Sequence, residues 1–209
     1  MGLSVFDSPQ LKEDDYMKAI ENLPEGYCEI YSVDIQKDKK MAVFINILAL
    51  LISILLIVPV HMVIPLYTMF TAGSPTQTVT IRLVLTLLLI CVYMVLHELV
   101  HGIAMKICGT KKVKYGFTGM YAFACSNDYY NRKAYIFIAL APVVLWGIVI
   151  AIFNMLVPLQ WFWIVYLIQI ANLSGAAGDL FVTVRFMCFP RDILIRDYGV
   201  GMTVYSKNN

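Results

Sequence analysis

Charge is what this sequence has least of. Asp, Glu, Lys and Arg make up 14% of its 209 residues, against about 25% in an ordinary soluble domain. Hydrophobic residues reach 60% and mean hydropathy is +0.73. That composition excludes a water-soluble globular domain and indicates a membrane protein. Neither sign of charge is in surplus: the net charge of +2 is too small to imply a nucleic-acid partner. No C-x-x-C pair occurs among Cys28, Cys91, Cys108, Cys125 and Cys188, so there is no zinc-ribbon or dithiol spacing. Most of these cysteines fall in apolar runs or on the expected cytoplasmic side, where disulfides are disfavoured, and read as small apolar residues. Internal repeats, low-complexity tracts and long linkers are also missing, which leaves one membrane bundle.

Long apolar runs are what the sequence has instead. Four of them, at about 41–63, 79–106, 134–157 and 161–186, reach the roughly 20 residues that a helix needs to cross a bilayer. The expected fold class is therefore an all-α polytopic membrane protein with four transmembrane helices. About 40 polar and mixed residues precede the first run and no small-residue cleavage site follows it, so it is not expected to be a cleaved signal peptide. Lys12, Lys18, Lys37, Lys39 and Lys40 precede the first run. Lys106, Lys111, Lys112, Lys114, Arg132 and Lys133 lie between the second and third, and Arg185, Arg191, Arg196 and Lys207 towards the end. The loop 64–78 and the link near Pro158 carry no Lys or Arg, which predicts both termini on the cytoplasmic side.

Three parts follow: a cytoplasmic N-terminal segment (1–40), a four-helix domain (41–186) and a cytoplasmic tail (187–209). In the first, Ser8 and Pro9 open an expected short helix that ends near "LPEG", and "CEIYSVDI" suits a strand. After the second span, Gly109 is a helix stop, and alternation around Val113, Tyr115 and Phe117 before Gly119 predicts a β-hairpin near the cytoplasmic membrane surface.

Against this background "VLHELVHGIAMK" (95–106) stands out. His97, Glu98 and His101 spell H-E-x-x-H, which on a helix places two imidazoles at i and i+4 on one face with the carboxylate beside them. In a soluble helix such residues often decorate a solvated face. Inside a bilayer each charge costs about 2.5–3.5 kcal/mol on insertion scales, so ionisable groups there imply function. Two His ligands and a third group would leave one zinc position open for water, with Glu98 placed to take that water's proton.

The third ligand should come from another helix at the same depth. Asp179 is the only acid in the fourth run. Counting back from Lys106 and Arg185 puts His101 and Asp179 within roughly 1.5 Å of the same depth. Pairing with Arg185, at i+6, is the structural alternative for Asp179 and is poorly placed on a regular helix. His61 ends the first run near the outer surface, most of a roughly 30 Å core away, and reads as interfacial. "SGAAG" (174–178) is small-residue packing material. Asn172, seven residues before Asp179, could bond a substrate carbonyl or, equally, a neighbouring helix.

These pieces together resemble the site-2 protease type of intramembrane metalloprotease, and most closely a bacterial family of zincin-type peptidases of unknown function. The matching stretches are "HELVHG", "YGFTGMYAF", "ALAP" (Ala139–Pro142) and "NLSGAAGD", which span a catalytic core of about 90–182. In the site-2 protease pattern the last motif carries prolines and a glycine after the aspartate; here the prolines are missing and Leu180 follows Asp179. No inserted PDZ-like domain is present. The resemblance implies a zinc metalloendopeptidase of the bacterial cell membrane, with zinc on His97, His101 and Asp179 and Glu98 as general base. Asn172 would be a substrate contact, and the substrates membrane-anchored proteins or peptides within the lipid bilayer.

Two rivals remain open on sequence. One is a non-proteolytic zinc-binding membrane protein with a regulatory or interaction role, which needs a fourth protein ligand such as Asp128. The other is a small transporter with an ion path through the His/Glu/Asp layer, although polar positions along several spans and an internal repeat are not found.

Overall fold

The computed structural model describes residues 17–71, 76–119 and 121–207. The expected helix capped by Ser8 begins outside the described residues, and its described end, from residue 17, holds no helix but a single bridge from Ile20 to Tyr129.

Four candidate spans form the bundle: α1 (Lys39–Val63), α3 (Thr76–Ile107), α4 (Arg132–Leu156) and a broken fourth, α5 (Leu159–Gly175) followed by α6 (Ala177–Met187). A one-turn helix, α2 (Thr68–Thr71), sits between α1 and α3. At 25 or more residues each, these spans exceed a hydrocarbon core of about 30 Å at 1.5 Å per residue. Their apolar residues run round the whole circumference, as a lipid-facing helix requires. Leu55, Leu87, Val95, Ile148 and Met155 are all exposed on the described bundle.

Local signals set the helix starts. The Asp38 carboxylate accepts from the amides of Lys40 and Met41, both at 3.0 Å, and Asn131 accepts from Ala134 at 2.8 Å. The fourth span is not the regular helix its hydropathy suggested. Helical geometry lapses at Ala176 (φ −83°, ψ 17°), inside "SGAAG", before α6 resumes.

The all-α expectation is corrected by six strands in two sheets among the described residues. The hairpin after α3 is present as β2 (Lys114–Phe117) and β3 (Ala122–Cys125), antiparallel, with Tyr115 opposite Ala124. A second sheet joins β1 (Tyr27–Asp34), β4 (Tyr129–Asn131), β5 (Leu194–Asp197) and β6 (Gly201–Lys207) in the order β1-β6-β5-β4, each neighbouring pair antiparallel. The strand expected in "CEIYSVDI" is therefore there as β1, whereas the tail strands were not anticipated.

The start of α1, the end of α3, the start of α4 and the end of α6 all lead into strands, so both sheets lie at one end of the bundle, the end that carries most basic residues. The main core sits at that junction: Met105, Tyr135 and Ile138 from the helices, Phe186 from α6, and Ile193, Ile195 and Val204 from the tail. Phe186 is fully buried between Tyr135 and Phe189. Truncation to alanine should lower stability by about 3–5 kcal/mol, measured by unfolding in detergent. At the far end Met69, Trp163 and Ile164 form a smaller buried cluster, with Trp161 and Leu89 among the residues packed against it. There Arg82 donates to the Met69 carbonyl at 3.0 Å and lies over the Trp161 ring, two of the contacts that hold a cation within an apolar run.

Candidate metal centre

On α3, His97 and His101 are one turn apart and both buried, with ring centroids 4.9 Å apart. Ligand atoms of His97, Glu98 and His101 lie within 4.8 Å of one another. Asp179, two residues into α6 after the break, approaches from the opposite side. Its Oδ2 lies 3.6 Å from Nε2 of His97 and 3.6 Å from Nε2 of His101. The structure thus brings together the two histidines, the glutamate and the aspartate that the sequence singled out.

The hydrogen bonds behind the histidines decide which nitrogen faces the carboxylate. His101 Nδ1 lies 2.9 Å from the Ile138 carbonyl, which can only accept, so Nδ1 carries a proton and, in the neutral ring a metal would bind, Nε2 is the nitrogen with the lone pair. That carbonyl is available because of Pro142. In a regular helix it would accept from the amide four residues on, and proline has none. "ALAP" therefore contributes to the centre from α4. On His97, Nδ1 is 2.7 Å from the Tyr93 hydroxyl, leaving Nε2 turned towards Asp179.

At 3.6 Å the carboxylate is too far for a direct hydrogen bond to either Nε2. It is close to the separation of about 3.4 Å expected between donors that each sit 2.0–2.1 Å from one tetrahedral zinc. The donor set fits: two imidazole lone pairs and a carboxylate oxygen converging on one point, each imidazole backed by an acceptor. Glu98 is the alternative third donor. Asp179 makes the closer approach to both histidines.

All four groups line a cavity of about 450 Å³ at the junction of bundle and sheets. The hairpin forms one wall, with Ala122, Phe123 and Ala124 facing in, and the β5–β6 turn another, with Asp197, Val200 and Met202. Gly102 in α3 lets the Tyr115 side chain lie flat against the helix, where any Cβ would overlap the ring. Phe123 packs against Gly199, whose φ of +95° makes the β5–β6 turn.

Asp197 was not anticipated. Its Oδ2 accepts from the Tyr135 hydroxyl at 2.5 Å and its Oδ1 from the Gly199 amide at 2.6 Å, tying the tail sheet to α4. Burial pushes its carboxyl above the usual range, and those two donors only partly offset the effect. The only sequence signal was an aspartate two residues before a glycine. Tyr93 was also missed, although it stands at i−4 from His97 on the same helical face.

Other candidates lie elsewhere. Asn172 is 0% exposed, with its amide bonded to Val143 and Tyr93, so the helix-neighbour alternative is the one its contacts display. Asp128 sits in the turn before β4 and does not line the cavity. His61 accepts from the Leu66 amide at the far end of α1. Arg185 stacks on Tyr31 and Phe189 rather than meeting Asp179.

Comparison with curated proteins and with solved structures returned no match. A family profile described as "Putative zincin peptidase" matches residues 90–194, half of the chain, from the middle of α3 through α6 to the first residue of β5. That stretch contains His97, Glu98, His101 and Asp179, and the chain belongs to this family.

Proposed function

We propose that the protein is an intramembrane zinc metalloprotease that hydrolyses peptide bonds of membrane-anchored substrates near the cytoplasmic side. The observation that carries this is the Asp179 oxygen, equidistant from the Nε2 atoms of His97 and His101 on α3, within a bundle of helices long and apolar enough to cross a membrane. His97, His101 and Asp179 would hold the metal. The chemistry zinc supplies when bound is Lewis acidity, which polarises a carbonyl and lowers the pKa of water. Glu98 takes the proton of the attacking water and returns it to the leaving amine, without a covalent intermediate.

A helical substrate must unwind before its carbonyl can be reached, and β3 offers the template. Thr118 donates to the Tyr121 carbonyl, so the antiparallel register leaves the Ala122 amide and carbonyl pointing away from β2, on the cavity side. An extended substrate segment can add to that edge by main-chain hydrogen bonds.

The test is hydrolysis of a single-span, membrane-anchored reporter by the full chain in liposomes. Glu98→Gln should keep its zinc and lose about 100-fold or more in rate. Cleavage that survives both this change and chelation would refute the proposal. The closeness of Glu98 to both histidines favours a second reading, a closed structural site with four protein ligands. Loss of zinc in Glu98→Gln, with no hydrolysis by the wild type, would support that reading instead.

A further inference from the structure

The geometry points to Tyr93 and Asn172 as a pair of positioning residues that set the tautomer of His97. Hydrogen-bond bookkeeping leaves one arrangement. The Val143 carbonyl, 3.1 Å from Asn172, can only accept, so the carboxamide nitrogen faces it and Oδ1 faces the other way. Oδ1 lies 2.7 Å from the Tyr93 hydroxyl, and an amide oxygen also only accepts, so the single tyrosine proton goes to Asn172. The tyrosine oxygen, 2.7 Å from His97 Nδ1, is left as an acceptor. His97 must then donate from Nδ1, so that in the neutral ring the lone pair lies on Nε2, at the point shared with Asp179.

A chain of donors thus runs from α3 through Tyr93 to α5 and ends on a carbonyl of α4. His101 reaches the same tautomer through the Ile138 carbonyl alone. Asn172 and Tyr93 are both buried, at 0% and 7% exposure; Asn172 does not line the cavity, whereas Tyr93 forms part of its wall. A purely packing role for Asn172 would not require its carboxamide in one orientation. The assignment rests on His97 being a metal ligand only for its consequence, since the tautomer itself is a property of the zinc-free protein.

The experiment is nitrogen NMR of ¹⁵N-histidine-labelled, zinc-free full chain in detergent, paired with zinc affinity by chelator competition. The chain has three histidines, His61, His97 and His101, which makes assignment tractable. Wild type should show His97 protonated on Nδ1. In Asn172→Leu the tyrosine proton loses its acceptor and turns to His97, which should move the imidazole proton to Nε2 and weaken zinc binding about 10- to 100-fold. Asn172→Asp keeps an acceptor oxygen there and should restore the Nδ1–H form and most of the affinity. Tyr93→Phe, the mildest change sterically, should give mixed tautomers and weakened zinc, with His101 signals unchanged in every variant. If His97 stays Nδ1-protonated and zinc affinity stays within about twofold in both Tyr93→Phe and Asn172→Leu, the assignment is overturned. If the tautomers shift as described but wild type takes up no zinc, the relay stands and the metalloprotease reading falls.

Discussion

Asp179 stands in the first turn of α6, where free amides and the positive end of the helix dipole favour a carboxylate. Its partners are the two imidazoles across the cavity, and it gains both settings from the interruption at Ala176. Purified wild type should therefore carry close to one zinc, and Asp179→Ala and His97→Ala should each lose it, as read by elemental analysis. Zinc retained at wild-type level in Asp179→Ala would transfer the third-ligand role to Glu98. At this scale much was legible beforehand. His97, Glu98, His101 and Asp179 were readable because ionisable groups in an apolar run are costly and few. Tyr93 and Asp197 were not, because a tyrosine in a span and an aspartate near a turn are ordinary residues until their partners are known.

Among the elements, the β2–β3 hairpin and the tail hairpin form the walls of the site. Ala122→Pro removes an amide that β2 does not use, so the hairpin should persist while the substrate-facing edge loses a donor. The expected outcome is a raised KM for a membrane-anchored reporter with zinc content unchanged; an unaltered KM would remove strand addition from the proposal. The tail hairpin is held by Asp197, whose raised carboxyl pKa has a definite consequence for stability. The folded chain binds this proton more tightly than the unfolded chain, so the contribution is most favourable below about pH 4, the ordinary carboxylate value. It is lost as pH rises through the raised folded value. The stability of zinc-free Asp197→Asn should therefore gain on wild type across that interval, and a pH-independent difference between the two melting curves would contradict this. Hydropathy located the spans, yet it missed the break at Ala176, since a window averaged over some 20 residues smooths out one lapsed turn.

For the whole molecule, the order of elements places every described strand at one end of the bundle, next to the cavity. Basic residues flank that end, and we take it to face the cytoplasm. Cys28 in β1 and Cys188 after α6 are exposed there, whereas Cys108 is buried with its thiol pushed up to about 11. An impermeant maleimide should accordingly label Cys28 and Cys188 in inside-out vesicles and not in intact cells, and Cys108 only after unfolding. Labelling of Cys28 or Cys188 in intact cells would reverse the orientation.

The presence of four stretches long and apolar enough to cross a membrane, and the identity of the ionisable groups within them, were determined by the sequence alone. Each depends on local composition or on spacing along one helix, and such patterns survive without knowledge of what packs against what. The four-stranded sheet, the roles of Pro142, Tyr93 and Asn172, and the meeting of Asp179 with both histidines were decided by the tertiary structure. β1 pairs with β6 across most of the chain, and the centre draws on α3, α4, α5 and α6 together. Contacts between segments so far apart leave no periodic trace in either partner. Only the folded chain shows which carbonyl lacks its helical amide and which imidazole nitrogen is left with a lone pair.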